Sequence, residues 1–478
     1  MREMLDASSQ RIIKILEILL EHEKWITFAE LSFFVEASER TIANDIAVLK
    51  DVWKDNLNIE VSKKNGVKLR NQNIASIGVV FTDIFNSSVA LRWIKELLFY
   101  PDNPIEFYES KLFVSRSTLI RLIPKINRYL SLKGMEIQYK NNRYEFLGED
   151  EQYLRDFSAS FLLELYGLDL GNYDFNLDLE ILRGLILAML EKHINPAELD
   201  WISKDDISIV YKMMFYIVSM VREQQGYSVS STHPVENEIS EQYIGYIVKH
   251  FPNTNVNNLR PIHEYFYKEH NGWTSSEERE LVSKEITEYL NRFFSTVSVS
   301  PDENTLCTMH YILKSFYFKV KLRPFKTSEL FNRIHYFALS LKQTNPLLYQ
   351  AAEENLKITS QNIKADISPA VSDVLFWTCL ACPEAALTTS PRRALLIDDF
   401  GRLHTQFLAK TLSNFFFSKV LNFCVDTAPF PEVLMSKIPD HYDIIITTIP
   451  NLPFKHKNMV LINDFPTSDD FCKIHRAI

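Results

Sequence analysis

The stretch Ser38-Glu-Arg-Thr-Ile-Ala-Asn-Asp-Ile-Ala-Val-Leu-Lys-Asp-Val52 decides how the rest of the sequence is read. Ser38 suits a helix N-cap, because its hydroxyl can accept a bond from a free first-turn amide. Ile42, Ile46 and Leu49 recur at helical spacing and form an inner face. Arg40, Thr41 and Asn44 fall on the other side, near the start of the helix. Side chains of that kind reach base edges in a major groove, where Arg suits guanine and Asn suits adenine. An ordinary amphipathic surface helix has the same apolar spacing, so the flanking sequence must decide.

Upstream, Gln10–Leu20 reads as a helix, and Thr27 caps a short one over Phe28–Phe34. Val35-Glu36-Ala37 makes the turn into the stretch above. After Trp53 the pattern alternates. Ile59, Val61, Val67 and Leu69 flank Lys63-Lys64-Asn65-Gly66, which predicts a β-hairpin around an Asn-Gly turn. Such a hairpin is the wing of a winged helix-turn-helix, and Lys63, Lys64, Lys68 and Arg70 give it positive charge suited to flanking phosphates.

The arrangement recurs about 77 residues later, and internal recurrence of this kind marks a repeated structural unit. Val89–Phe99 and Pro104–Lys111 read as helices, and Leu112-Phe113-Val114 as a turn. Ser115-Arg116-Ser117-Thr118-Leu119-Ile120-Arg121 opens a second recognition helix, with Leu119, Ile123 and Ile126 in the places of Ile42, Ile46 and Leu49. A second wing runs through Met135, Ile137 and Tyr139, turns at Lys140-Asn141-Asn142-Arg143, and returns through Tyr144 and Phe146. This copy is more basic on its groove side, with Arg116, Arg121, Lys125 and Arg128. Pro124 sits inside the helix, where a missing amide predicts a kink or a shorter element. Either the base-reading turn lies wholly before it, or the helix starts later.

From 148 to about 390 the pattern is helical throughout. Helices are expected over Leu177–Lys192, Ile207–Arg222, Ile239–Phe251 and Arg279–Phe294. After an interruption at Thr296–Pro301 come Leu306–Val320, Ser328–Lys342, Pro346–Leu356 and Pro369–Leu380. Two all-helical bundles account for this most simply. Near Pro391 strands return: Ala394–Asp398, Lys419–Phe423, Tyr442–Thr448 and Met459–Ile462, with helices at His404–Phe415 and Pro431–Lys437. Alternation on this scale indicates a small α/β domain with a parallel sheet. The expected fold class is multidomain and mainly α. The domains are 1–72 and 73–150 (winged helix-turn-helices), 151–295 and 296–390 (helical bundles) and 391–478 (α/β).

A chain of 478 residues is long enough for about three or four domains. An apolar content of 46% and a charged content of 24% are those of a soluble globular protein. No apolar run approaches the ~20 residues that span a bilayer, and the N-terminal residues carry no signal core, so no membrane association is expected. The five scattered cysteines fit a reducing cytoplasm. The net charge of −9 is unevenly placed: residues 1–147 hold 21 Lys+Arg against 19 Asp+Glu (+2), and 148–478 hold 31 against 42 (−11). A near-neutral N-terminal third permits DNA binding through local contacts, while the acidic body discourages indiscriminate phosphate binding.

The order of parts resembles the Mga/AtxA family of virulence-type transcription regulators of Gram-positive bacteria. The resemblance is sharpest in Ser38–Leu49 and Ser115–Ile126 with their wings, and rests on architecture elsewhere. In that family the bundles are similar to phosphotransferase-system regulation domains (PRDs), and the tail resembles the enzyme IIB component of sugar transporters. The resemblance implies a regulator, often an activator, that binds promoter DNA and forms dimers or larger assemblies. It also implies control by phosphorylation of bundle histidines, through the phosphocarrier protein of the phosphotransferase system. The candidates are His193, His233, His250, His263 and His270 in the first bundle and His310 and His335 in the second, with His193 and His310 best placed. A neutral imidazole is a fit phosphoryl acceptor near pH 7. The tail departs from a cysteine-type IIB. The loop after its first strand is Asp398-Asp399-Phe400-Gly401-Arg402, without Cys, and Cys424 stands after the second strand. An inert copy used for subunit contact or sensing is expected.

Arg40, Thr41, Asn44, Arg116, Ser117, Thr118 and Arg121 are the expected base or phosphate contacts at the helix starts. Lys63, Lys64, Lys68, Lys140 and Arg143 are the expected backbone contacts on the wings. Cys379-Leu-Ala-Cys382 has the spacing of a redox or zinc pair, but no second pair stands near it and a buried structural role is expected. Asp398-Asp399 reads as a helix-capping turn rather than a metal site. There is no Gly-rich phosphate loop and no nucleophile–base–oxyanion set, so neither a cofactor nor an enzymatic activity is expected. The competing expectation is a phosphotransferase-system signalling protein working through protein–protein contacts, with the winged helices as docking modules.

Overall fold

A computed structural model describes the chain except residues 23, 71–72, 168–176, 230–240, 253–258, 323–330, 388–391, 417–422, 430–441, 451 and 478. It is a mainly α, multidomain protein in two compact units: Met1–Arg279 with Lys314–Tyr336, and Glu280–Leu313 with Phe337–Ile478.

The first unit begins with α1 (Ala7–Glu21), α2 (Phe28–Val35) and α3 (Glu39–Val52), then β1 (Asn58–Ser62) and β2 (Gly66–Arg70). Thr27 and Glu30 cap α2 reciprocally, so two orphan amides are satisfied at once. Glu36 closes α2 in the left-handed region at φ 59°. Ser38 caps α3 by accepting from the Thr41 amide at 3.2 Å. Ile42, Ile46 and Leu49 are buried, as the periodicity predicts. In the wing, Ile59 pairs with Leu69 and Val61 with Val67, and Ile26 adds a bridge to Val67. Gly66 lies at φ +95°, and a Cβ there would stand 2.0 Å from the Ile26 carbonyl oxygen. Only glycine lets these three segments close on one another.

The second copy is α5 (Val89–Phe99), α6 (Ile105–Leu112), α7 (Arg116–Leu130), β3 (Met135–Lys140) and β4 (Arg143–Gly148), introduced by α4 (Ile74–Ser87). The sequence reading did not include α4. An offset of 77 carries Ser38 to Ser115, Glu36 to Phe113 (φ 57°), and the Ile26–Val67 bridge to an Asn103–Tyr144 bridge. The offset slips once. Met135 and Ile137 stand 78 residues after Leu57 and Ile59, the inward residues of the first wing. The hairpin loop then shortens to Asn141-Asn142, both at positive φ (51° and 65°), as a two-residue primed turn requires. One residue gained before the strand is lost in the loop, so Ile137 pairs with Phe146 as Ile59 pairs with Leu69.

Pro124 neither kinks α7 to a stop nor delays its start: the helix runs unbroken from Arg116 to Leu130. Two turns precede the proline, which faces solvent, while Leu119, Ile126, Tyr129 and Leu130 are buried on the opposite side. Packing of that face outweighs one missing backbone bond. Ile123, expected on the inner face, is only half-buried.

The rest of the first unit is helical. It contains α8 (Glu151–Tyr166), α9 (Leu179–Glu191), α10 (Pro196–Lys204), α11 (Asp206–Gln224), α12 (Glu241–His250) and α13 (Arg260–Asn271). The last turns of α15 (Glu303–Leu322) also belong to it. Periodicity alone does not separate α8, α10 and α13 from their surroundings. The longest, α11, is buried on nearly every side. No single described helix is long and apolar enough to cross a membrane. The bent pair α4–α5 has the length and composition, but it buries Ile77, Phe81, Leu91 and Trp93 within the protein.

In the second unit, α17 (Pro346–Ile363) and α18 (Val371–Ala381) accompany parts of α14 (Ser276–Thr296), α15 and α16 (Arg333–Thr344). Arg292 bonds Asn355 at 2.9 Å and Thr359 at 3.2 Å, fastening α14 to α17. Cys379 and Cys382 are buried, and burial pushes the Cys379 thiol up to about 12, which suits a structural role. After the short α19 (Pro383–Leu387) comes a parallel sheet in the order β6 (Phe423–Pro429), β5 (Arg392–Asp398), β7 (Ile444–Thr447), β8 (Met459–Leu461). Leu408 and Leu412 of α20 (Arg402–Phe416) and Ile474 of α21 (Ser468–Ala477) cover one face. The second strand therefore lies at 423–429 rather than at the expected 419–423, and Cys424 is inside it rather than after it. Asp426 and Pro429 read as strand breakers, but β6 is an edge strand, where a proline is tolerated. The helix expected over 431–437 lies outside the described residues.

Candidate nucleic-acid interface

The leading ends of α3 and α7 stand at the surface. In α3, Arg40 and Asn44 are exposed, and Thr41 is half-buried, its hydroxyl 2.8 Å from that of Ser38. The equivalent residues of α7 are Ser117, Arg121 and Thr118. Ser117 and Arg121 are exposed, and the hydroxyls of Ser117 and Thr118 each stand 3.0 Å from that of Ser115. Arg121 donates from Nε to the Ser117 carbonyl at 3.1 Å, which lays the guanidinium along the helix. Ser115 does not cap its helix as Ser38 does. The Glu109 carboxylate accepts from the Arg116 amide instead.

Arg116 faces Glu106 at 3.2 Å, with both side chains more than half exposed, so the pair is weak and readily exchanged for a phosphate. Arg143 is held more firmly. It donates to the Asp102 carbonyl at 2.7 Å and carboxylate at 3.1 Å, which ties the second wing to the residues before α6. Lys63, Lys64 and Lys140 are exposed and Lys68 is half-buried. Lys125 leaves the groove-side set: its ammonium donates to the Leu5 carbonyl, because the N-terminal segment packs on α7. Arg128 remains exposed.

The sequence reading missed what aims these helices. Asp45, buried on the inner face of α3, accepts from Arg11 of α1 at 2.8 and 3.2 Å. The pair fixes the rotation of α3 against α1. Its signal was an acidic residue at an inward position of an apolar series, with an arginine on the preceding helix. The second copy has Ser88 and Leu122 at these places. It is mounted from behind instead. Arg222 of α11 is fully buried; it donates to the Phe146 carbonyl of β4 at 3.1 Å and grips both oxygens of Glu151 at 2.8 and 2.6 Å. Arg155 joins Glu151 at 3.1 Å and Glu223 at 2.7 Å.

Of the predicted histidines, His193 is half-buried just after α9, edge-on to Tyr267 at 5.2 Å between ring centroids. Burial, and then Lys192, lower its pKa. His263 and His270 are buried. Burial, then His193 and Lys192, push His263 down to about 4, and burial, then Lys212, takes His270 well below the ordinary value. His250 and His310 are half-buried, His335 is exposed, and His233 lies outside the described residues. In the α/β domain Asp398 is a buried acceptor rather than a capping residue. It receives His404 Nδ1 at 3.0 Å, Thr405 Oγ1 at 3.1 Å and Thr448 Oγ1 at 2.9 Å. His404 Nε2 is 2.8 Å from the Asp464 carbonyl, so both ring nitrogens face acceptors and the imidazolium is favoured.

Comparison with known proteins agrees with this geometry. Residues 8–65 match the M protein trans-acting positive regulator (MGA) HTH domain, and residues 73–162 match the Mga helix-turn-helix domain. The second match extends into α8, the helix that carries Glu151 and Arg155. The chain is 23% identical to the capsule synthesis positive regulator AcpB of Bacillus anthracis, across 98% of each chain. It is 24% identical to AcpA of the same organism over 58% of this chain and 62% of the relative. It is also 25% identical to the anthrax toxin expression trans-acting positive regulator, over 33% and 31%. Two helix-turn-helix units matched in tandem, and relatives named as positive regulators, support a DNA-binding regulator of the Mga/AtxA type.

Proposed function

We propose that this regulator acts as a transcriptional activator at promoters, reading DNA through both winged helices as a cytoplasmic homodimer. The observation that carries the reading is the twofold exposure of a recognition-helix start, Arg40 with Asn44 and Ser117 with Arg121, beside wing cations. Arg40, Asn44, Arg116 and Arg121 reach base edges or adjacent phosphates. Thr41, Ser117 and Thr118 contribute hydroxyls, and Lys63, Lys64, Lys68, Lys140 and Arg143 meet the backbone. Arg143 must first leave Asp102, so its contribution is the smallest. Activation is the sign favoured by relatives named as positive regulators. The five sequence-derived domains, 1–72, 73–150, 151–295, 296–390 and 391–478, are the working division. Gel shifts of promoter fragments at two salt concentrations test the reading. Arg121→Ala should lose about 1–3 kcal/mol of binding. Unchanged affinity in both Arg121→Ala and Asn44→Ala would remove the winged helices from DNA recognition.

Control by phosphorylation follows as a second layer. His193 is the better acceptor in the first helical region, half-buried and kept neutral by its surroundings. His310 is its counterpart in the second. His263 and His270 are too deeply buried for a phosphocarrier to reach. Incubation with the phosphorylated phosphocarrier should label wild type and lose label in His193→Ala or His310→Ala. An unlabelled wild-type chain would end this part of the proposal and leave DNA binding untouched.

A further inference from the structure

Within the first unit, a cleft of about 390 Å³ opens between the end of α9, the end of α13 and the start of α14. Lys192, His193 and Arg279 supply three nitrogen-bearing side chains to its wall, and Thr274, Ser275 and Ser276 supply hydroxyls. Tyr267 and Trp273 supply aromatic faces. The walls are held in place. Asn271 donates to the His193 carbonyl, joining the ends of α9 and α13, and Trp273 stacks against Tyr317 at 5.9 Å.

Two acids at the start of α14 are already engaged. Glu278 accepts from the Thr274 amide and hydroxyl, from Tyr317 and from Lys321. These partners outweigh its burial and hold its carboxyl down to about 2. Glu277 turns back to its own amide and to Ser275 and Ser276. His263 is buried near His193 and Lys192, with no hydrogen-bond partner at Nε2. A buried imidazole nitrogen without a partner, near two basic side chains of the cleft wall, is a costly arrangement.

We propose that this cleft binds a small phosphomonoester, its phosphate held by Arg279 and Lys192, and its ring lying against Tyr267 and Trp273. The volume suits a small ligand. The guanidinium suits a phosphate better than a lone ammonium would, because it can donate two parallel bonds. A dianion beside His193 would also favour protonation there and at the nearby His263. The proposal goes beyond DNA binding and does not require covalent phosphorylation of His193.

The test is calorimetric titration of the full chain at low salt with four probes: inorganic phosphate, sulfate, adenosine 5′-monophosphate and glucose 6-phosphate. At least one monoester should bind tenfold or more tightly than phosphate or sulfate, and the preferred one identifies the ring. Arg279→Gln and Lys192→Gln, both at exposed positions, should each lose tenfold or more. His193→Ala should keep measurable monoester binding, weaker than wild type but stronger than Arg279→Gln. Arg121→Ala should bind the monoester as wild type does while failing on DNA, so that failure of one reading leaves the other standing. Equal affinity for sulfate and every phosphate, monoester binding unchanged in Arg279→Gln, or no saturable binding would each overturn the proposal.

Discussion

The two winged helices share a fold almost residue for residue, yet they are held by opposite means. The first is braced from within, by the Arg11–Asp45 pair between its own helices and by a capping box on α2. The second has neither: Glu109 caps α7 and Asp102 holds Arg143 from within it, and Arg222 of the helical region grips β4 from outside. A self-braced copy keeps its shape whatever the rest of the protein does. An externally braced copy moves with the helix that holds it.

Four measurements break or sharpen that contrast. Arg222→Met takes one of two arginines from the half-buried Glu151 and removes the donor to the Phe146 carbonyl, and should cost about 3 kcal/mol, read as the urea midpoint of the transition that includes the second copy. An equal loss of order in both copies, followed by amide exchange, would show that they are not separately braced. Gly66→Ala forces a Cβ against the Ile26 carbonyl from a left-handed backbone, and should cost about 2 kcal/mol or more. Asn142→Ala at the second wing tip meets only the milder strain, about 1 kcal/mol. Arg11→Met should cost about 1–3 kcal/mol, because Asp45 loses a charged partner but Arg11 is itself partly exposed. Amide protection should fall in α1 and α3 and hold in α7.

The smallest effect lies outside both copies and serves as their control. Burial tends to lower the His404 pKa, but the bonds to Asp398 and Asp464 outweigh it and raise the value above 6.5. A raised folded pKa means the stabilisation is complete below the unfolded value and is lost as pH rises through the folded one. Thermal unfolding of the α/β domain should therefore weaken modestly on the alkaline side of neutrality. His404→Gln should flatten that slope and leave both winged helices unchanged.

Local signals were legible in the sequence and distant ones were not. Ser38, Thr27 and the inward Ile42, Ile46 and Leu49 act within one or two turns, so spacing exposed them. The wings were readable from their turn residues. Pro124 misled because the packing that carries α7 through it depends on residues far away in sequence. Asp45 and Arg222 escaped notice for the same reason: each gains meaning from a partner 34 or 71 positions away. In the α/β domain, β6 was misplaced because Asp426 and Pro429 discourage a strand unless its place at the sheet edge is known.

The compensated slip between the wings has a practical consequence. Transplanting only the tip of one hairpin into the other would add or remove a residue without its counterweight before the strand. Side chains alternate along a strand, so the graft would turn Ile59 or Ile137 outward and empty the core beneath. Anyone building a chimera to ask which copy chooses the promoter must exchange connector and hairpin together.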